Sequence, residues 1–277
     1  MNGLALCAGV GGLELGLRLA LGSRYRTVGY VEREACAAAV LVARMEDQAL
    51  DRAPVWDDVA TFDGRPWRGK VDLVSSGIPC QPYSVAGSGR GHADERALWP
   101  HLVRVVGECE PGLVFIENVP PFLKHFEPVW RELRGMGFEF APPMLRTASE
   151  SGAPHIRRRL FVLAAHSSRR RADAIQLAGQ LHRAEPLGVT PPVSDRGRRE
   201  GEWCGWVLDG ERATLRHDPD GRGCGCRAKG TPWATESPVL RVADGSSDRV
   251  DRLRAIGNGV VPAVAAAAFL EMVQVFA

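Results

Sequence analysis

Two side chains stand where covalent chemistry could be run. Cys80 lies in the run Ser75-Ser76-Gly77-Ile78-Pro79-Cys80-Gln81-Pro82-Tyr83-Ser84. Pro79 and Pro82 restrict the backbone on both sides, so the thiol is held in one place. Only the thiolate is a nucleophile, and at an ordinary pKa of about 8.5 it needs a nearby cation or base near neutral pH. Glu117 closes the apolar run Leu113-Val114-Phe115-Ile116. A carboxyl at the half-buried end of a strand is expected to keep its proton to higher pH, which suits it to acid catalysis. Upstream, Ala8-Gly9-Val10-Gly11-Gly12 reads as a turn that lets backbone approach a ligand and aims helix N–H groups at it. Glu32, at the end of the next apolar run, is placed to hold two ribose hydroxyls. Glu14 stands where the dinucleotide fingerprint has its third glycine, which disfavours a nicotinamide cofactor. The residues therefore point to a nucleoside ligand beside a nucleophile and an acid.

The elements that must carry these groups alternate. Strands are expected at 4–8, 27–32, 71–76 and 113–117, and helices at 13–21, 35–45 and 97–108. That alternation predicts a doubly wound parallel sheet, whose ligands bind at the carboxyl ends of the strands. Residues 159–165 are expected to pair with 138–145 as a late antiparallel addition. After His166 the texture changes to Arg runs and turn formers such as 217–232, so 167–247 reads as a small irregular second domain. A short helix over 248–259 and an Ala-rich helix over 263–276, entered through Pro262, return to the first domain. The first domain is thus 1–166 together with 248–277.

Composition bounds the rest. The chain has 277 residues, 45% of them apolar and 25% charged, as expected of a folded globular protein. No apolar run reaches a membrane-spanning length, and the first residues do not read as a signal peptide. Seven cysteines, an odd number at irregular spacing, read as free thiols in a reducing cytoplasm. Cys36 and Cys109 are expected to be inert core residues, and Cys7 to line a cofactor pocket. No metal is expected: Cys204, His217, Cys224 and Cys226 lack the usual zinc spacing. The net charge of +2 hides an asymmetry, because 144–199 holds eleven Arg against four acids. That stretch suits a polyanion partner, since Arg meets phosphate and guanine through two hydrogen bonds at once.

The set Cys7–Leu17, Gly77–Ser84, Phe115–Val119, Ala153–Ala164 and Arg254–Pro262 resembles the DNA cytosine-5 methyltransferases, in that family's order. The resemblance runs from the first strand to the last helix. It implies a Rossmann-like, doubly wound, S-adenosylmethionine-dependent methyltransferase sheet, with 167–247 as a target-recognition domain. It implies that Cys80 attacks carbon 6 of a flipped-out cytosine, and that Glu117 serves ring nitrogen 3. Arg157 and Arg159 would sit on one strand face against the base and the catalytic loop, with Arg158 turned away. Cofactor contacts would come from Cys7, Gly9, Gly11, Gly12, Glu32, Pro79, Leu98, Asn258 and Val260. Asp58 and Val59 would meet the adenine, although the neighbouring Asp57 competes for that place. Ser84 and Arg90 would contact DNA. Asn118 would fix the Glu117 loop and is counted with the DNA contacts.

Three departures from the family pattern stand out: Cys7 where Phe is usual, His155 where Gln is usual, and Gly259 where Ser is usual. The implied partner is double-stranded DNA. The protein is expected to be a cytoplasmic, nucleoid-associated monomer of prokaryotic or phage origin, with a possible cognate restriction endonuclease. Transfer RNA is the alternative substrate.

Overall fold

The computed structural model describes residues 1–79, 98–151, 153, 157–168, 205–209, 212–216 and 259–276. The first strands follow the apolar runs: β1 (Asn2–Leu6), β2 (Arg26–Val31), β3 (Val55–Trp56), β4 (Leu73–Ser76) and β5 (Leu113–Asn118). They lie parallel in the order β3-β2-β1-β4-β5. The order reverses between β1 and β4, and in such sheets the crevice at that reversal binds the ligand. Three strands extend the sheet beyond β5. These are β6 (Phe138–Phe140), β7 (Met144–Thr147) and β8 (Arg158–His166). β8 runs antiparallel to β5, and both β6 and β7 run antiparallel to β8. The expected partner of 159–165 is therefore two short strands, split at Pro142-Pro143, where no ladder N–H is available.

Helices cover both faces. On one face α1 (Gly12–Leu21), α2 (Ala35–Glu46) and α5 (Pro262–Val273) pack over Ala5, Leu73, Phe115 and Phe161. On the other, α3 (Trp99–Cys109) and α4 (Glu127–Gly135) pack over Leu4, Leu6, Val74, Ile116 and Val162. α1 and α5 approach closely because Gly16 leaves room: a Cβ there would lie 2.7 Å from that of Ala265. Pro262 opens α5 as expected. Among the described residues no helix is long and apolar enough to cross a membrane.

Two expectations are corrected. Cys36 is exposed on the first turn of α2, not core, whereas Cys109 is buried. The 167–247 region is not wholly irregular: β9 (Gly205–Asp209) and β10 (Arg212–Arg216) pair in antiparallel register. The expected helix over 248–259 lies outside the described residues except for Gly259.

Candidate active site at the carboxyl end of the sheet

The Gly-rich turn leaves β1 at the reversal of strand order. Cys7 adopts a left-handed φ of 50°, a conformation that costs a non-glycine residue about 1–3 kcal/mol and collects at functional sites. Gly11 caps α1 at φ 79°, and the turn closes with Gly11 N donating to Ala8 O at 2.9 Å. Gly12 is needed for proximity: a Cβ on it would sit 2.7 Å from Val260 O, so the segment before α5 presses onto the turn. Val260 thus packs directly on Gly12. Asn258, its partner among the expected cofactor contacts, lies outside the described residues.

Glu32 is buried at the end of β2, and its carboxylate organises the turn. Oε2 accepts from Gly9 N at 2.6 Å and Oε1 from Glu34 N at 2.8 Å. Asp58 begins the loop after β3, with Oδ1 accepting from Ala60 N at 2.8 Å. Burial, then Glu32 and then Asp58 push the Cys7 thiol up to about 12, so it is a neutral wall of the pocket. That coupling and its partial burial favour Asp58 over the exposed Asp57 as the acid facing the turn. Val59 is buried beside it. Gly9, Gly11, Gly12, Glu32, Asp58 and Cys7 therefore come together at the carboxyl ends of β1 and β2.

The neighbouring strand ends supply the acid. A Cβ on Gly77 would lie 3.2 Å from Cys7 O and 3.8 Å from Glu117 Oε2, so Gly77 sits between the turn and the carboxyl. Glu117 is 7% exposed. Its Oε1 pairs with Arg159 Nε at 2.7 Å. Burial raises the Glu117 pKa to about 7, against the opposing pull of Arg159 and Arg157. Arg157 is itself lowered to about 10, by burial first and then by the charge of Arg159. Arg158 is exposed between them, so the two-residue alternation holds. Asn118 is buried, donating Nδ2 to Ile78 O at 3.2 Å and accepting from Val119 N at 2.8 Å. These bonds tie the end of β5 to Ile78, just past the end of the neighbouring strand. Pro79 is exposed and Leu98 half-buried, one on each side of 80–97. Cys80, Ser84, Arg90 and His155 lie outside the described residues.

One buried acid here escaped the sequence reading. Glu14, on the first turn of α1, accepts from Ser75 Oγ on β4 at 2.8 Å, and its Oε2 is buried without a partner among the described residues. Burial raises its pKa to about 7 against the pull of Ser75. The folded chain therefore holds this proton more tightly than the unfolded one, whose value is near 4.5. Its stabilising share is complete below about pH 4.5 and is lost as pH rises through 7, a swing of about 3 kcal/mol. Glu14→Gln should therefore lose less stability than the parent between pH 5 and pH 8, as read by urea denaturation at each pH. Equal losses in both proteins would show that the carboxyl does not titrate in the fold.

Parallel strands in the order β3-β2-β1-β4-β5 with helices on both faces, a glycine turn at the reversal and a buried carboxyl at the end of β5 define a Rossmann-like fold. The model of the C-5 cytosine-specific DNA methylases matches residues 1–194, and the chain belongs to that family. Among curated relatives, the type II methyltransferase M.NgoMIV of Neisseria gonorrhoeae is 31% identical over 166 residues, covering 58% of this chain and 50% of that protein. M.NaeI of Lentzea aerocolonigenes is 32% identical over 195 residues, covering 69% of this chain and 44% of its own length. The chain thus spans about half the length of the curated relatives it matches. In fold it is like the Entamoeba histolytica methyltransferase EhMeth, with a TM-score of 0.50 and 17% identity over 60% of this chain and 52% of that one.

Proposed function

We propose that this protein transfers a methyl group to carbon 5 of a flipped-out cytosine in a specific double-stranded DNA sequence. The observation that carries the reading is the buried Glu117 carboxyl, paired with Arg159 beside the strand end that leads into Cys80. A base inside a duplex is out of reach, so the target must leave the stack. Cys80 as thiolate adds to carbon 6, and the electrons of the 5,6 double bond move toward carbon 5 and the ring nitrogen. Glu117, holding a proton near neutral pH, hydrogen-bonds or protonates nitrogen 3 and so stabilises the charge that attack develops. Arg159 orients that carboxyl, and Arg157 adds positive charge beside it. S-adenosylmethionine supplies the methyl group when bound. Glu32 would hold its ribose, Asp58 and Val59 its adenine, and the turn of Gly9, Gly11 and Gly12 would leave room for its amino-acid end, Gly9 N and Gly11 N being already engaged by Glu32 and Ala8. Loss of the carbon-5 proton to water or a base then expels Cys80 and restores the ring.

We assign 167–247 to recognition of the DNA sequence, with Ser84 and Arg90 as further DNA contacts. The protein would act as a monomer in the cytoplasm, with or without a partner endonuclease. The test is to incubate purified protein with S-adenosylmethionine and unmodified duplex DNA or transfer RNA, then sequence after bisulfite treatment. Methylated cytosine at one recurrent DNA sequence is expected. Unmodified DNA with folded, cofactor-binding protein would overturn the reading, and modification of transfer RNA alone would replace the substrate.

A further inference from the structure

Across the sheet face from α1, one guanidinium grips the loop that follows β3. Arg104, on α3, donates Nη2 to Val59 O at 2.7 Å and to Ala60 O at 3.3 Å. Its Nη1 donates to Phe62 O at 2.8 Å and to the Glu108 carboxylate at 2.9 Å. Glu108, one helical turn on, also accepts from Gly64 N at 2.8 Å. Asp58 holds the same loop by its other groups: Thr61 N and Phe62 N donate to its carbonyl at 3.2 and 3.1 Å, and Ala60 N to its Oδ1. The carbonyls of the loop are thus gathered by Arg104 and its amides by Asp58. Among the described residues Asp58 Oδ2 has no partner.

We propose that Arg104 is a positioning residue for cofactor binding, setting the Asp58–Val59 loop against the adenine. This rests on the adenine reading of Asp58 given above. The planar fork of Arg supplies enough fixed donors to serve three carbonyls and a carboxylate at once, whereas the ammonium of Lys is a point charge with three donors. Arg104 is partly exposed, its side chain keeping 34% of its surface, and the bulk of the apolar core does not depend on it. Its placement has a second effect. α3 begins at Trp99, just after the 80–97 segment that carries Cys80. The helix that receives the chain from the nucleophile therefore also anchors the loop assigned to the adenine.

The test is a double-mutant cycle on affinity for S-adenosylhomocysteine, measured by calorimetry with parent, Arg104→Gln, Asp58→Ala and the double variant. Folding is checked by circular dichroism and melting. Each single variant should weaken binding about tenfold, and the double variant scarcely more than either, because residues that act through one loop are not additive. In turnover, Arg104→Gln should raise KM for S-adenosylmethionine while kcat at saturation stays near that of the parent. Arg104→Lys should recover part of the loss, and it carries the cycle if Arg104→Gln does not fold. Unchanged affinity in the folded Arg104 variant, or effects that simply multiply, would overturn this proposal alone. Unchanged affinity in Asp58→Ala would overturn the adenine reading and the proposal with it.

Discussion

Cys80→Ser is expected to abolish methylation while leaving cofactor affinity intact. The serine hydroxyl lies far above a thiol in pKa and is a poor nucleophile without its own base, so the loss should be about 10³-fold or more. The covalent step has its own readout. DNA carrying 5-fluorocytosine at the target has no carbon-5 proton to lose, so the adduct of Cys80 with carbon 6 should persist after methyl transfer. Denaturing electrophoresis should then show a protein–DNA species with the parent and none with Cys80→Ser. A trapped species of equal yield with the serine variant would move the nucleophile elsewhere.

Glu117→Gln should cost about 10²–10⁴ in kcat, the range for loss of a positioned acid or base. The pH profile discriminates more sharply than the magnitude. The Glu117 pKa is raised to about 7 by burial, so the protonated form falls away as pH rises through that value. Cys80 works in the opposite sense, because its thiolate grows with pH. The parent kcat/KM should therefore be bell-shaped, with a falling limb near pH 7. The glutamine variant should lose that limb, since an amide does not titrate there. Arg159→Gln should move the limb upward, because the Arg159 charge now holds the carboxyl below where burial alone would put it. A falling limb unmoved by both substitutions would assign it to another group.

Much of the sheet was legible because its strands are nearly pure apolar runs bounded by turn residues. Leu113-Val114-Phe115-Ile116 admits no other reading once a helix precedes it. The turn at Gly9–Gly12, Glu32, Glu117 and the Arg157/Arg159 alternation all sit at strand ends, where type and spacing reveal a site. Other features gave no local signal. β3 is two residues long, Val55–Trp56, and exists only because β2 offers it a ladder edge. α4 is only nine residues long and buries two side chains, Val129 and Leu133, while Trp130 stays exposed, so the run is too short to stand out as an element before α3 covers it. Glu14 was visible only as a missing glycine, because its partner Ser75 is 61 residues away. Arg104 grips carbonyls more than forty residues distant, and backbone acceptors carry no sequence mark. Cys36 misled because an Ala-rich helix is apolar on all sides, and composition does not say which side faces the sheet.

The contact between α1 and α5 bears on how the chain is made. Phe115 stacks with Phe161 and meets Phe269 edge-on, at ring centroids 5.8 and 5.3 Å apart. The first two rings leave the ribosome early, and their cover follows about a hundred residues later, after the whole of 167–247. At a synthesis rate of about 5–20 residues per second, an aromatic face stands open for roughly ten seconds on every nascent chain. The segment bearing Val260, which presses on the cofactor turn, arrives in the same late stretch. Each molecule therefore covers this aromatic face and completes the turn's packing in the same late stretch of synthesis. A ribosome stalled within 167–247 would release a chain prone to aggregate.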